Sequence, residues 1–463
     1  MVRVSDVLES TADISLAWSV PKELAFRGVT NDSRLARPGS LFIAVRGERD
    51  GHDFVADAYA RGARGVLGER VVDNLDWLPK SAKRKFAYFI APNSIDALHS
   101  LASYWRELHP VRAIGITGSV GKTTVKELTA RVLAGKYRVL KNEKNFNNEI
   151  GLPLSLLRLH RGHQVAVLEM GMYAIGEIAD LCRLARPEIG IVVNVGPTHL
   201  ERLGSIERIA QAKSELVEAL PPTGLAVLNG DDGRVLKMAD LAKARVITFG
   251  SQPHCDFRAT ELVSRGLHGI EFTAVWRDRS IRVSTSMLGK HSVYPCLAAL
   301  AVGLEMGLSP EEAASRLKRP PQQSRLALLR GPRGSTIIDD TYNASPVSVI
   351  AALDLLSETR GRRIAILGDM LELGDYEEAA HREVGRKAAR SVDLLIAVGE
   401  RARWIADEAK SAGLSRVRAV ASRAEVELPL EKGDVVLVKG SRGMRMEEVV
   451  ARLMKSNGEP ARG

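Results

Sequence analysis

Gly115-Ile116-Thr117-Gly118-Ser119-Val120-Gly121-Lys122-Thr123-Thr124 follows an apolar run, Val111 to Ile116, and precedes a helical pattern from Val125 to Leu133. A strand, a glycine-rich turn and a helix in that order predict a phosphate loop. Gly118 and Gly121 let backbone N–H groups turn inward around a polyphosphate, and the helix N-terminus adds a positive dipole. Lys122 reaches the β and γ phosphates and the Thr123 hydroxyl can hold Mg²⁺. The strict spacing wants glycine where Ile116 stands. That departure points away from switch GTPases, while Gly118 keeps the loop supple.

Outward from the loop, apolar runs recur at Val165 to Leu168, Ile189 to Val193, Leu225 to Leu228 and Val246 to Phe249, with amphipathic helical stretches between several of them. Such alternation predicts a mostly parallel sheet, because parallel neighbours need crossover connections. A helix over Val293 to Met306 precedes another opening at Ser309-Pro310-Glu311-Glu312, which offers an N-cap, a proline at the first position and acidic residues on the dipole. Lys318-Arg319-Pro320-Pro321-Gln322-Gln323 reads as a linker. Beyond it the strand pattern restarts at Thr336 to Asp339, Arg363 to Leu367, Leu394 to Val398, Val417 to Val420 and Val435 to Val438. Upstream, short strands end in a helix over Ser94 to Leu108, closed by Pro110. The expected fold class is α/β in three domains, 1–109, 110–317 and 318–463, the last Rossmann-like.

Length agrees, since 463 residues at about 150 per domain makes roughly three. Apolar residues at 45% and charged residues at 26% provide cores and exclude disorder. The net charge of +10 favours acidic small molecules in a general way, but its basic residues form no block and interleave with no dense aromatics. Nucleic acid is therefore not the expected partner. No apolar run approaches the ~20 residues of a membrane helix, and the start carries no signal sequence. The expectation is a cytoplasmic protein without a membrane segment. Cys182, Cys255 and Cys296 are too few and too scattered for a disulfide framework or a thiolate zinc site.

Two more residues sit where chemistry is expected. Glu169 ends one central strand and His199 follows another, both at carboxyl ends of the sheet that carries the phosphate loop. Either alone would more often be a surface or capping group. Their joint placement points to a hard cation bridging a nucleotide and a second substrate.

With these residues in place the sequence resembles the Mur ligases of peptidoglycan synthesis over essentially its whole length. The N-terminal blocks Thr30-Asn31-Asp32-Ser33-Arg34, Pro38-Gly39-Ser40-Leu41-Phe42 and Asp50-Gly51-His52-Asp53-Phe54 look like the family's UDP-sugar domain. Centrally, the phosphate loop, Asn145-Phe146-Asn147-Asn148, Glu169, His199 and Ala212-Lys213-Ser214-Glu215 match its ATPase core. The last third carries Asp339-Asp340-Thr341-Tyr342-Asn343-Ala344-Ser345-Pro346, Leu367-Gly368-Asp369-Met370-Leu371-Glu372-Leu373-Gly374, His381-Arg382-Glu383-Val384-Gly385 and Val438-Lys439-Gly440-Ser441-Arg442. No Asp-Asn-Pro-Arg motif for a diamino acid occurs, which favours the dipeptide-adding branch. Ser292 and Pro295, Ser345 and Asn142 stand where relatives commonly carry Asn, Asn and Thr, respectively.

The resemblance implies an ATP-dependent ligase that adds D-alanyl-D-alanine to UDP-N-acetylmuramoyl-tripeptide through an acyl phosphate, as a monomer, with two Mg²⁺ ions. Gly118, Ser119, Val120, Gly121, Lys122, Thr123 and Thr124 would cradle ATP, with His291 and Arg325 near the nucleotide. Thr123, Glu169, His199 and Lys213 would hold metal, Lys213 as a CO₂ carbamate; an ordinary solvated lysine is the alternative there. Lys122, Lys213 and His199 would carry catalysis. Ser33 and Arg34 would meet the uridine diphosphate, a plain surface loop being the alternative. Asn145, Asn148, Asp340, Asn343 and Ser345 would face substrate. Lys439 and Arg442 would take the dipeptide carboxylate, with a helix-start role as the alternative, and His381 is expected to be packed. A site shared by three domains implies closure, expected about the Lys318 to Gln323 linker and the Pro110 junction. Another amide ligase of this scaffold, either the diamino-acid-adding relative or a folate polyglutamate synthase, and a nucleotide-dependent binding module are the competing readings.

Overall fold

The computed structural model describes residues 1–143, 145–319 and 326–455, so Arg325 and most of the predicted linker lie outside the described residues. Three sheets organise the chain. A five-stranded sheet runs in the order Ser15–Leu16, Ala87–Ile90, Gly65–Gly68, Ser40–Ile43, Gly28–Thr30, parallel except for its first pair. The C-terminal sheet has six strands in the order Ala327–Arg330, Thr336–Asp340, Val435–Lys439, Arg363–Gly368, Leu394–Val398, Val417–Val420, again parallel but for the first pair.

Between them lies a nine-stranded sheet with the phosphate-loop strand, Arg112–Thr117, flanked by Val165–Glu169 and Ile189–Val192. The buried, mostly apolar residues of these three strands match a sheet covered on both faces. Beyond Leu225–Asn229 and Arg245–Gly250 the sheet continues through Phe257–Ser264, Ile270–Trp276 and Arg279–Thr285, the last two antiparallel additions. These three strands went unrecognised in the sequence. Ile270–Trp276 alternates buried and half-buried residues, as a strand with one covered face should. The expectation of a mostly parallel central sheet holds, since only the two outermost pairings are antiparallel.

Helix Ser94–Leu108 begins at an Asn93 cap, whose side chain accepts from the Ile95 and Asp96 N–H groups. Its buried face of Leu98, Leu101 and Trp105 belongs to an apolar core that extends from Val4 and Phe26 to Leu168 and Leu216. The Trp105 indole donates to the Leu159 carbonyl at 3.0 Å, and the buried Arg106 donates to the Val111 and Ala185 carbonyls. Rotation at Pro110 would tear this shared core, so the expected hinge there meets a physical obstacle. The C-terminal sheet has its own cores on its two faces, touched at the edge by Leu267 and Leu288. Relative motion is cheaper at that junction.

Among the described residues no helix is long and apolar enough to cross a membrane. The three cysteines are free and buried.

Candidate active site

The helix after the phosphate loop begins at Lys122, three residues earlier than its apolar pattern suggests, because Gly121 caps it in a left-handed conformation at φ 89°. The first helical turn therefore opens directly onto the loop. A Cβ at Gly118 would come 2.9 Å from the Val193 Cβ, so the loop lies against the neighbouring strand end more tightly than another residue permits. Asn194 clamps it there: its carbonyl accepts from the Ser119 N–H at 3.0 Å, its Oδ1 from the Val120 N–H at 2.8 Å, and its Nδ2 donates to the Val120 carbonyl. Ser119 exchanges hydrogen bonds with Gly196 through its hydroxyl. Ser119 and Val120 thus spend their amides on framing the loop, whereas Gly121, Lys122, Thr123 and Thr124 form the helix end. The Lys122 ammonium donates to the Gly118 carbonyl at 2.6 Å.

Thr123 and Glu169 meet, Oγ1 donating to Oε2 at 2.8 Å, although 46 residues separate them. Neighbouring parallel strands set this encounter, Glu169 pairing in register with Ile116. The buried Glu169 is held from behind by Asn142, whose Oδ1 accepts from the Glu169 N–H and whose Nδ2 donates to the Glu169 carbonyl, both at 2.9 Å. The fully buried Lys126 ammonium in turn donates to the Asn142 carbonyl. Asn147 donates to the other carboxylate oxygen at 2.8 Å. Of the Asn145 to Asn148 block, then, Asn147 reaches the site; Asn148 caps Gly151, and Asn145 is exposed. Asn142→Ala leaves a buried amide and carbonyl unpaired. The expected destabilisation is about 1–3 kcal/mol, read as a lower denaturant midpoint with an unchanged slope.

His199 stands at φ 59°, left-handed, before the short helix Leu200–Leu203. Its Nδ1 lies 2.6 Å from Oε2 of Glu372, itself at φ 65°. Such conformations cost about 1–3 kcal/mol each and cluster where structure is held for use. Burial holds the imidazole pKa below its ordinary value; Glu372 pulls the other way, and Lys122 and Lys213 add to the lowering. Lys213, on helix Ile206–Glu218, is 2% exposed, and no hydrogen bond or ion pair joins it to a described residue. Burial first, then the Lys122 charge, pushes its pKa well below that of a free lysine.

The C-terminal strands deliver the remaining groups. Asp340 and Lys439 are register partners at the carboxyl ends of adjacent strands, and the Lys439 ammonium donates to Asp340 Oδ2 at 2.6 Å and to the Asn343 carbonyl at 2.9 Å. Lys439 is 2% exposed, and its charge is paired with Asp340 inside the domain. Asn343 accepts from the Arg442 N–H, and Ser345 caps helix Pro346–Ser357. The Arg442 guanidinium is exposed and lies over the Tyr342 ring at 5.9 Å. His291 lies at the junction with part of its surface exposed; the protein packed around its ring, and then the Lys439 charge, push its pKa down to about 4. His381 is packed, its Nε2 accepting from the Met370 N–H and its Nδ1 meeting the Glu377 carbonyl.

In the first domain Ser33 is buried, and Arg34 forms a forked pair with Asp32 while remaining 80% exposed. An exposed pair of that kind is worth little and exchanges readily for a stronger anion. A separate cleft of about 910 Å³ opens between Arg265, Lys290 and Arg360 at the amino ends of the C-terminal strands, away from Asp340 and Lys439.

Three family models match: "Mur ligase family, catalytic domain" over 25–104, "Mur ligase middle domain" over 116–303 and "Mur ligase, glutamate ligase domain" over 324–442. The chain is 38% identical to the UDP-N-acetylmuramoyl-tripeptide–D-alanyl-D-alanine ligase of Bacillus subtilis, with 94% of each chain covered. Among solved structures it is similar to MurF from Acinetobacter baumannii, with a TM-score of 0.86, 30% identity and 98% of both chains covered. It is also similar to MurF ligase from Thermotoga maritima in complex with ADP, with a TM-score of 0.78, 31% identity and 94% of this chain and 99% of that one covered. Matches of this extent run through all three sheets and leave one reading: the chain belongs to the Mur ligase family.

Proposed function

We propose that this chain is the ATP-dependent ligase that joins D-alanyl-D-alanine to UDP-N-acetylmuramoyl-tripeptide, working in the cytoplasm. The observation that carries the reading is the meeting of the phosphate loop with Glu169, His199 and the buried Lys213, which no hydrogen bond or ion pair joins to a described residue, in a chain whose near-full-length relatives bear that name. On this reading residues 1–109 take the UDP-sugar through Ser33 and Arg34, residues 110–317 take ATP, and residues 318–463 present the dipeptide. On the same reading the enzyme is a monomer.

The donor set suits Mg²⁺. Thr123 and Glu169 offer hard oxygens beside the loop, and the Thr198 hydroxyl next to His199 is buried without a partner among the described residues. No cluster of three or more His, Cys, Asp or Glu occurs among them. Mg²⁺ prefers that economy, being held by one or two protein groups while phosphates and water complete its shell. Thr123 and Glu169 would hold one ion, and His199 with carbamylated Lys213 a second. Bound there, the ions screen the γ-phosphate from the substrate carboxylate.

A carboxylate is a poor electrophile, so it must first become an acyl phosphate, and two anions must meet to form one. Lys122 and the helix end at Gly121 to Thr124 supply fixed positive potential at ATP. The incoming amine then attacks the acyl phosphate, and phosphate leaves. For the acceptor, Arg442 offers an exposed fork to the dipeptide carboxylate, with Lys439, Asp340 and Asn343 shaping the loop beneath it. Ser345 acts as a cap, and His291 borders the nucleotide at the junction.

Incubation with ATP, Mg²⁺ and UDP-muramoyl tripeptide should release ADP and phosphate only when D-alanyl-D-alanine is added. Turnover with a diamino acid instead would mark the related ligase, and ATP binding without any substrate-dependent ADP release would mark a binding module.

A further inference from the structure

The block Gly368 to Gly374 is built in two halves that face opposite ways. Its first half is braced inside the C-terminal domain: the Asp369 carboxylate accepts from the Ala402 N–H at 2.7 Å, the Met370 N–H donates to His381, and the Leu371 N–H donates to the Ser441 hydroxyl at 2.9 Å. Its second half reaches the central domain. The Glu372 carboxylate meets His199 at 2.6 Å across 173 residues of sequence, and the Glu372 carbonyl accepts from the Glu201 N–H at 3.4 Å. Gly374, at φ 55°, completes the approach, because a Cβ there would lie 3.3 Å from the Glu201 Cα. The His199 ring also packs in a T-shaped arrangement with Tyr173, ring centres 4.9 Å apart, and Arg202 lies over the tyrosine ring.

We propose that Glu372 is a positioning residue supplied by the C-terminal domain, which fixes the tautomer and tilt of His199 so that the cation site of the central domain is complete only while the two domains are docked. With Nδ1–H donating to the carboxylate, Nε2 keeps its lone pair and becomes the nitrogen able to bind a cation. A carboxylate behind a ligating histidine serves this purpose in metal sites generally. Here the carboxylate is on a different domain from the histidine. Glu372 is half-exposed, and its contact with His199 contributes to docking rather than to either domain's core. The device couples closure to competence, since an undocked enzyme holding ATP would have a misoriented His199 and would waste little nucleotide. The inference rests on the reading of His199 as a cation ligand.

The test uses the full-length protein and the variants Glu372→Ala and Glu372→Gln. The Mg²⁺ concentration for half-maximal ADP release should rise about tenfold to a hundredfold in Glu372→Ala, with the KM for ATP nearly unchanged. Glu372→Gln should fall between, because its amide oxygen still accepts from Nδ1–H. Independently of activity, nitrogen-15 spectra of histidine-labelled protein, with His199 assigned by its loss in His199→Asn, should show the Nδ1–H form in the parent and a mixture in Glu372→Ala. An unchanged Mg²⁺ requirement in Glu372→Ala with an unchanged His199 spectrum would overturn the proposal. A lower requirement would also overturn it, by making Glu372 a competitor of the cation. If the parent shows no ligase activity, the functional reading fails while the spectra still report on the Glu372 contact.

Discussion

Lys122→Ala should reduce product formation by about 10³-fold or more while leaving the fold intact. The first step brings a carboxylate against a triply charged phosphate tail, and preorganised positive charge is the main thing a protein can offer there. Loss of one neutral donor from such a site costs about 10²–10³ in rate, and Lys122 carries a full charge in a loop walled by Val193 and Asn194. Two of its hydrogen bonds, to the Gly118 and Ser119 carbonyls, stay within the loop, and the melting temperature should move by only a few degrees. Lys122→Arg should recover little, since a planar guanidinium does not fit where a compact ammonium threads between the loop carbonyls. Steady-state ADP release and direct detection of the pentapeptide product, with a thermal melt beside them, make the measurement. Product formation within threefold of the parent would remove the basis for reading this loop as catalytic.

Much of the scaffold was legible because its signals are local. Runs such as Val165 to Leu168 and Leu394–Val398 are fully apolar between polar residues, and the Ser309-Pro310 start of a helix announces itself by cap chemistry. The antiparallel strands from Phe257 to Thr285 were harder, being half-exposed, with Glu261, Glu271 and Arg282 on the open face. Within the site, residue types at strand ends pointed to Glu169 and His199, but nothing in spacing selects Asn142, Asn194 or Lys126 as the groups that hold them. Those side chains act on main-chain atoms far away in sequence, and such pairings follow from the sheet order alone. The same reason hid Glu372, which sat inside a quoted block without a role. Lys439 shows the converse limit. Its residue type suggested anion recognition, whereas register placed Asp340 beside it and used the charge internally. Likewise Pro110 reads as a boundary, yet Arg106 and Trp105 tie the helix before it to the domain after it.

Lys213→Ala should lower turnover by about 10²–10³-fold, and a short carboxylic acid such as acetate or propionate should restore part of it. A buried ammonium with no hydrogen bond or ion pair to a described residue, next to the Lys122 charge, is costly to maintain, and its pKa is accordingly pushed well down. The neutral amine so favoured is the form that attacks CO₂, forming an N–C bond and releasing one proton to give a carbamate. The carbamate would replace that cation with an anion, whose charge Lys122 and a cation held there would offset. The sign of the pH response follows. Acid protonates the carbamate and expels CO₂, so activity should fall reversibly on the acid side and return with bicarbonate near neutrality. In Lys213→Ala the vacated space admits a small carboxylate, whereas Lys213→Met fills it and should stay inactive under the same additions. Intact mass under bicarbonate should show one CO₂ adduct in the parent and none in either variant. Full activity in rigorously CO₂-free buffer, or a Lys213→Ala enzyme as active as its parent, would return this residue to an ordinary buried lysine.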